Sequence, residues 1–246
     1  MSVHELVVIS VMIFAAATLY SCVGHAGASA YLAVMALAGV DAQIMKPTAL
    51  ALNVLVALIA SVRFYRAGCF SWSLWWPFAV TSIPGALAGG FLTLPSTLYR
   101  QMVGIVLLYA AYRLFRSPSA AAGMTAGRPP RAVALILGAL IGLLSGLTGV
   151  GGGIFLSPIL LLAGWADPRR TAGVSAVFIL VNSLAGLGGR LAALPHLPAA
   201  VAPWAVAAVV GGLLGSGLGS RRLGAQKLRR VLAVVLVVAS VKLILV

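Results

Sequence analysis

Long apolar stretches, separated by short polar or glycine-rich breaks, follow one another along the whole chain. A helix needs about 20 mostly apolar residues to cross a bilayer, and many of the stretches approach that length. The pattern predicts five helical segments in each half of the chain. These segments are residues 5–22, 29–40, 46–64, 72–92 and 98–116, and then 132–148, 153–164, 169–188, 199–219 and 228–246. The sequence therefore predicts an all-α fold, a polytopic transmembrane helical bundle.

The second segment of each half is too short to cross a bilayer comfortably. Each of these segments follows a glycine-rich break, and this order predicts a short broken helix or a re-entrant hairpin. Irregular backbone at membrane depth is tolerated only where protein or a water-filled cavity surrounds it. We therefore expect the two breaks to lie inside the bundle.

The two halves share motifs in the same order, which indicates an internal duplication. Residues 21–29 align with residues 145–153, and residues 94–115 align with residues 223–244. A stretch rich in Pro, Gly, Ala and Ser separates the halves. The prediction divides the chain into a first transmembrane repeat (1–116), a cytoplasmic linker (117–131) and a second transmembrane repeat (132–246).

Charged residues are few and mostly basic. Only 8% of the residues are charged, against about 25% in soluble domains, so the chain could not cover a globular surface with polar side chains. The formal net charge is +14, but the Lys and Arg residues stand one or two at a time between apolar stretches. That spacing is typical of membrane topology signals, and we predict no nucleic-acid partner.

The positions of the basic residues choose between two topologies. If each half reverses the side of the membrane, one face holds 13 of the 17 Lys and Arg residues and the other holds Lys46, Arg100, Arg190 and Lys242. Cytoplasmic loops carry the excess of basic residues in membrane proteins. The distribution therefore predicts two inverted repeats in the cell inner membrane, with both termini extracytoplasmic.

The densest glycine cluster follows the first segment of the second half. It consists of Gly149, Gly151, Gly152 and Gly153, with Thr148 and Ser157 as nearby hydroxyl residues. A glycine inside a helix costs about 1 kcal/mol against alanine, so the cluster predicts unwound backbone. A helix that begins here would direct its free N–H groups and its positive dipole end at an anion. Close helix packing is the alternative, and it fits better for the glycines four residues apart in 85–89 and 211–219.

The corresponding break in the first half contains His25, Gly27 and Ser29. His25 takes the place of Gly149, and it is the only histidine predicted within the apolar layer. An ionisable residue at this depth is a functional candidate, and a protonated imidazole attracts anions. A structural histidine that is hydrogen-bonded to a neighbouring helix is the equally weighted alternative.

The third segments contain further polar candidates, namely Asn53, Ser175 and Asn182. Each asparagine either lines a substrate pathway or bridges two helices, which is the usual role of asparagine in membranes.

The residues needed for catalysis are missing from the pattern. The three carboxylates, Glu5, Asp41 and Asp167, each lie at the end of a predicted segment. Cys22 and Cys69 have neither metal-ligand nor redox spacing. The sequence therefore offers no arrangement of side chains suited to hydrolysis or metal catalysis. We predict a protein that is not an enzyme and has no metal or cofactor.

The glycine motif of the second half resembles that of the TauE/SafE family, the sulfite exporters. The residues that carry the resemblance are Gly146, Gly149, Gly151, Gly152, Gly153 and Pro158. Weaker matches extend it over nearly the whole chain. The resemblance implies a permease for small sulfur-containing anions, such as sulfite or organosulfonates.

The same resemblance implies where the anion binds. The residues from Gly151 to Gly153 and Thr148 would face the anion, with Gly27 and Ser29 opposite them. His25, Ala28 and Ser29 stand where the family commonly has glycine. This departure affects the expected substrate preference.

The sequence thus supports the hypothesis of a secondary transporter for a small sulfur-containing anion. The alternatives are a passive anion channel and a permease for another small organic anion. The expected partners are the anionic substrate and the lipid bilayer. The glycine-spaced helices also leave room for a homodimer.

Overall fold

A computed structural model describes residues 3–22, 24–116, 127, 129–193, 201–219, 236–237 and 240–245. In these ranges the chain is almost entirely helical and contains no strand. The helices are α1 (Val3–Ser21), α2 (Ala28–Leu37), α3 (Ala42–Arg66), α4 (Trp72–Phe91), α5 (Ser96–Arg116), α6 (Arg131–Thr148), α7 (Gly153–Leu162), α8 (Pro168–Ala193) and α9 (Val201–Gly219). Residues 236–237 and 240–245 are helical as well. The predicted all-α class is confirmed.

The predicted segments match these helices, with differences at their ends. The third segment was placed at 46–64, but α3 begins earlier because Asp41 caps it and accepts a hydrogen bond from the Gln43 N–H at 2.7 Å. Helix α8 continues past the predicted end at 188, through Gly188 and Gly189. Most of the predicted last segment, 228–246, and most of the predicted linker, 117–131, lie outside the described residues.

Five of the described helices are long and apolar enough to cross a membrane, and two are much shorter. By length and composition, α1, α3, α6, α8 and α9 can each cross a membrane. Helices α2 and α7 have only 10 residues each. At 1.5 Å per residue such a helix is about 15 Å long, half the thickness of the hydrocarbon core. The prediction that the second segment of each half is too short to span is confirmed.

Glycines allow two pairs of long helices to pack backbone against backbone. In the pair of α4 and α6, a Cβ added at Gly85 would lie 2.9 Å from the carbonyl oxygen of Ala139. In the pair of α1 and α9, a Cβ added at Gly211 would lie 2.5 Å from the carbonyl oxygen of Phe14. The packing role predicted for glycines in 85–89 and 211–219 is therefore confirmed at these positions.

Helices α3 and α8 cross antiparallel in the middle of the bundle. Leu50 of α3 lies beside Gly186 of α8, while Phe64, further along α3, clusters with Ala172 near the start of α8. An inverted repeat would relate α3 to α8, and it would relate the pair of α1 and α9 to the pair of α6 and α4. The helix contacts agree with that relation, and the opposite orientation of the halves in a membrane stays a prediction.

We predict that Gly142→Ala destabilises the protein by about 1–3 kcal/mol, because the new methyl group would overpack the α4–α6 contact. The added Cβ would lie 2.7 Å from the carbonyl carbon of Ser82. Thermal unfolding in detergent, followed by size-exclusion chromatography, measures the change.

The matched control is Gly188→Ala in α8, where an added Cβ meets nothing within 4 Å. This variant should be neutral or more stable by up to about 1 kcal/mol, since alanine favours helix. Equal losses in both variants would show that the α4–α6 contact does not depend on glycine.

Candidate substrate-binding site

The second break separates α6 from α7 through left-handed backbone. Gly149, Gly151 and Gly152 have φ angles of 85°, 82° and 79°. Residues with a Cβ pay about 1–2 kcal/mol for this conformation, so the sequence of glycines is what permits the turn. Val150, between them, is 5% exposed. The predicted interruption of the helix is present, and it lies inside the protein.

The first break separates α1 from α2 in the same way. Gly24 and Gly27 have φ angles of 75° and 104°. Gly24 packs against α8, where an added Cβ would lie 2.7 Å from the Cβ of Ala172. Ala26 is buried in the same apolar cluster as Val150. Continuous protein packing, and not lipid, therefore connects the two breaks.

Both short helices begin without a side-chain cap. Gly27 is the residue before α2 and Gly152 is the residue before α7, and neither can offer a side-chain acceptor to the first turn. The N–H groups of the first two residues of each helix have no acceptor within it and lie at the positive end of its dipole, whereas the third already donates to the carbonyl of the preceding glycine. Each break thus presents donors suited to an anion.

Polar side chains from both halves meet at the first break. His25 Nε2 lies 3.0 Å from Ser157 Oγ of α7, and Ser157 Oγ lies 2.8 Å from Ser175 Oγ of α8. Ser157 and Ser175 are buried, while His25 is half-buried. The three predicted residues form one chain of hydrogen-bonding groups, although 132 positions separate His25 from Ser157 in the sequence.

Asn53 of α3 holds the second break in place. Its amide nitrogen donates to the Val150 carbonyl at 3.2 Å and to Ser183 Oγ at 3.4 Å. Its Oδ1 atom is buried and has no partner among the described residues. A Cβ added at Gly151 would lie 2.6 Å from the Asn53 nitrogen. The bridging role suggested for Asn53 is thus observed, and one polar atom remains for a further partner.

Two tyrosines that the sequence reasoning did not select support the first break. Tyr20 accepts a hydrogen bond from Ser29 Oγ at 2.8 Å, and Tyr31 donates to the Ala26 carbonyl at 2.5 Å. Both rings are buried. Their placement next to the break, at the end of α1 and the start of α2, was the available signal, because a buried tyrosine needs a partner for its hydroxyl.

Other predicted residues are engaged within their own helices or packed against apolar groups. The Thr148 hydroxyl donates to the Leu144 carbonyl at 2.7 Å, and Asn182 donates to the Phe178 carbonyl at 2.8 Å. The Asn182 Oδ1 atom has no partner in the described part of the chain. Gly152 and Gly153 face apolar side chains, while Gly149 packs against the Lys46 backbone.

Within the described ranges, no group of three or more His, Cys, Asp or Glu residues is placed to hold a metal ion. The chemistry that this arrangement offers is hydrogen bonding from hydroxyl, imidazole, amide and backbone N–H groups. Such groups can bind an oxoanion without forming a covalent bond to it.

Two comparisons with known proteins both indicate a membrane transporter. The family model described as sulfite exporter TauE/SafE matches residues 9–243. The chain is 40% identical over 243 residues to the probable membrane transporter protein y4hK of Sinorhizobium fredii, covering 98% of each chain. No solved structure shows a significant match.

We predict that Gly151→Ala destabilises the protein more than Gly39→Ala does, by about 1–3 kcal/mol. Both glycines have positive φ angles, 82° and 74°, so both variants carry the same backbone strain. Only Gly151 is crowded, by Asn53 and Ser183, whereas an added Cβ at Gly39 meets nothing within 4 Å. Thermal unfolding of the two variants in the same detergent measures the difference, and equal midpoints would contradict the close contact at Gly151.

Proposed function

We propose, from the premise that the chain belongs to the sulfite exporter TauE/SafE family, that this multi-pass membrane transporter moves a small sulfur-containing anion such as sulfite or an organosulfonate. We place it in the cell inner membrane as a secondary transporter. The family and the membrane-crossing helices support the transport function. The substrate and the membrane are our proposal.

The observation that carries the substrate class is the pair of uncapped short helices that begin within the protein. A buried helix start without a partner is costly in an apolar medium, so a ligand that accepts hydrogen bonds would relieve that cost. Sulfite and sulfonates carry negative oxygen atoms that match this need. Broken helices bind anionic groups in other secondary transporters in the same way.

The polar cluster at the first break gives the anion further donors. Ser157 and Ser175 each have a hydroxyl that can rotate toward a ligand. His25 can donate or accept as a neutral ring and attracts an anion when protonated. In this proposal the anion replaces some of the hydrogen bonds that link His25, Ser157 and Ser175. Backbone N–H groups at the two breaks supply the remaining donors.

Access from the two sides would alternate by movement of the two halves. The α4–α6 and α1–α9 pairs pack through their backbones and would move as rigid units. The predicted inverted repeats would then expose the breaks to one side at a time. The chain has three carboxylates in total, at positions 5, 41 and 167, so His25 or the substrate itself is left to carry any coupled proton.

We predict that proteoliposomes containing the protein take up radiolabelled sulfite above empty liposomes, with saturation and with acceleration by sulfite loaded on the opposite side. Replacing Gly152 with Leu should abolish this flux, because the side chain would enter the break beside Ile141 and Phe178. Gly39→Ala, which carries positive-φ strain away from the breaks, is the control and should transport normally.

The result also separates the alternatives. Flux that does not saturate, together with single-channel conductance, would indicate a passive anion channel. Competition by another organic anion without sulfite uptake would indicate a different cargo. No uptake of any sulfur oxoanion by well-folded protein would overturn the substrate assignment.

We predict that Ala38→Cys and Ala67→Cys react with a membrane-impermeant maleimide from opposite sides of the membrane. Both residues are exposed, and they directly follow α2 and α3. With both termini extracytoplasmic, Ala38 should be labelled in right-side-out vesicles and Ala67 in inside-out vesicles. Cys22 and Cys69 are first replaced by serine, and labelling of both sites from one side would contradict the proposed topology.

A further inference from the structure

A pocket beside the second break contains two buried cations. Its volume is about 260 Å³, and it lies between the start of α3, the α4–α5 connection, α5 and the ends of α6 and α8. Lys46 of α3 and Arg190 of α8 line it and are each 5% exposed. Tyr99, Thr93 and Ser96 add hydroxyl groups to its wall. From their spacing in the sequence, Lys46 and Arg190 are membrane topology signals, and only the structure brings them into a common pocket.

The ammonium group of Lys46 has a structural role. It donates to the carbonyl oxygens of Gly89, Gly90 and Leu92 at 2.8, 3.2 and 3.1 Å. These carbonyls end α4, where a helix has no internal donors left and carries the negative end of its dipole. All three N–H groups of the ammonium are thereby occupied. Lys46 contributes its charge to the pocket but has no free donor.

Arg190 is different: it lies in the last turn of α8, where the helix dipole favours a cation, but no hydrogen bond or ion pair of its guanidinium is found among the described residues. Its Nε atom is buried without a hydrogen-bond partner, and no ion pair involves it. The chain offers three carboxylates in all. Glu5 lies in the exposed first turn of α1, Asp41 caps α3, and Asp167 pairs with Arg170. A guanidinium whose Nε is buried without a partner costs free energy, and an acceptor from outside the chain would relieve that cost.

The pocket also adjoins the second break. Leu147, which lines it, is two residues before Gly149, and a Cβ added at Gly149 would lie 3.1 Å from the Lys46 carbonyl oxygen. Tyr99 donates its hydroxyl to the carbonyl of Thr148 at 3.1 Å, at the end of α6. An anion in the pocket would therefore lie next to the turn that leads into α7.

We propose that this pocket is a second anion site, in which Arg190 binds a small oxoanion of the sulfite or sulfonate class through its guanidinium and Lys46 adds a fixed positive charge. Thr93 and Ser96 hydroxyls complete the set of donors. The planar guanidinium matches two oxygens of such an anion. That the bound anion is also the one transported rests on the proposed function, whereas the anion site itself does not.

The first test is the thermal stability of the purified protein in detergent, with sulfite or methanesulfonate replacing chloride at constant ionic strength. A ligand that binds only the folded protein raises its midpoint in a saturable way. We expect this rise in the wild type, about tenfold weaker apparent affinity in Arg190→Lys, and no rise in Arg190→Gln. Arg100→Gln, which changes a cation on α5 outside the pocket, should respond like the wild type.

The same experiment separates a binding role from a structural one. If Arg190 merely supported the fold, Arg190→Gln would lower the midpoint in chloride, without sulfite or methanesulfonate. If it awaits a partner, removal of the uncompensated charge should leave the midpoint in chloride unchanged or higher. An anion response that survives in Arg190→Gln, or that is absent from the wild type with both anions, would overturn the proposal.

The second test probes the charge of the pocket without relying on a bound ligand. Thr93→Cys is made in a background with Cys22 and Cys69 replaced by serine, and it is modified with anionic and cationic methanethiosulfonates. The anionic reagent should be favoured by about tenfold over its ratio in the same protein carrying Arg190→Gln. An unchanged ratio would contradict the proposed role of Arg190.

The two proposals can fail separately. Loss of the anion response and the reagent preference, with normal sulfite flux in the wild type, would remove the pocket and leave the transporter. The reverse result, a responsive pocket in a protein without sulfite flux, would keep the anion site and remove the transported substrate. If both hold, Arg190→Gln should raise the KM for sulfite by about tenfold or more, while Arg100→Gln leaves it unchanged.

Discussion

The satisfaction of backbone N–H and C=O groups away from water is the constraint on which this structure depends. In a bilayer a continuous helix meets it by itself, and every departure must be surrounded by protein or by a water-filled cavity. The two breaks, at residues 24–27 and 149–152, are such departures. Their glycines permit the turns, Asn53 takes up the carbonyl of Val150, and Tyr31 takes up that of Ala26. The starts of α2 and α7 have no side-chain cap, which is why we propose that a ligand binds there.

Two kinds of helix contact surround these breaks. The α4–α6 and α1–α9 contacts are shaped by glycine, since side chains at Gly142 or Gly211 would collide with a neighbouring backbone, although the Thr81 hydroxyl also donates to the Leu135 carbonyl between α4 and α6. The contact between α3 and α8 instead carries polar atoms, among them the Asn53–Ser183 bond. Polar groups at membrane depth are costly and tend to mark a pathway. At the α3–α8 contact, polar side chains of the two halves therefore bond directly to each other.

Charge is the second organising feature, because the basic residues far outnumber the acidic ones. Among the described cations, Lys242 lies at a helix end, where it donates to the carbonyl of Leu37. Arg190 lies in a pocket with Lys46, and no carboxylate of the described residues pairs with it. Such a charge suits the anionic partner that we propose for the pocket.

The sequence by itself determined the helices, the two short segments and the breaks, because hydropathy, segment length and glycine act locally along the chain. It did not determine which polar atoms would meet. His25 meets Ser157 across 132 positions, Asn53 holds a carbonyl 97 positions away, and Thr148 turns back to its own helix. Arg190 lies beyond the predicted end of its helix at 188, where it would be a loop charge. The observed α8 is longer and places Arg190 in a pocket beside Lys46. Such meetings depend on how apolar helices of similar sequence pack against one another, and only the tertiary structure decides that.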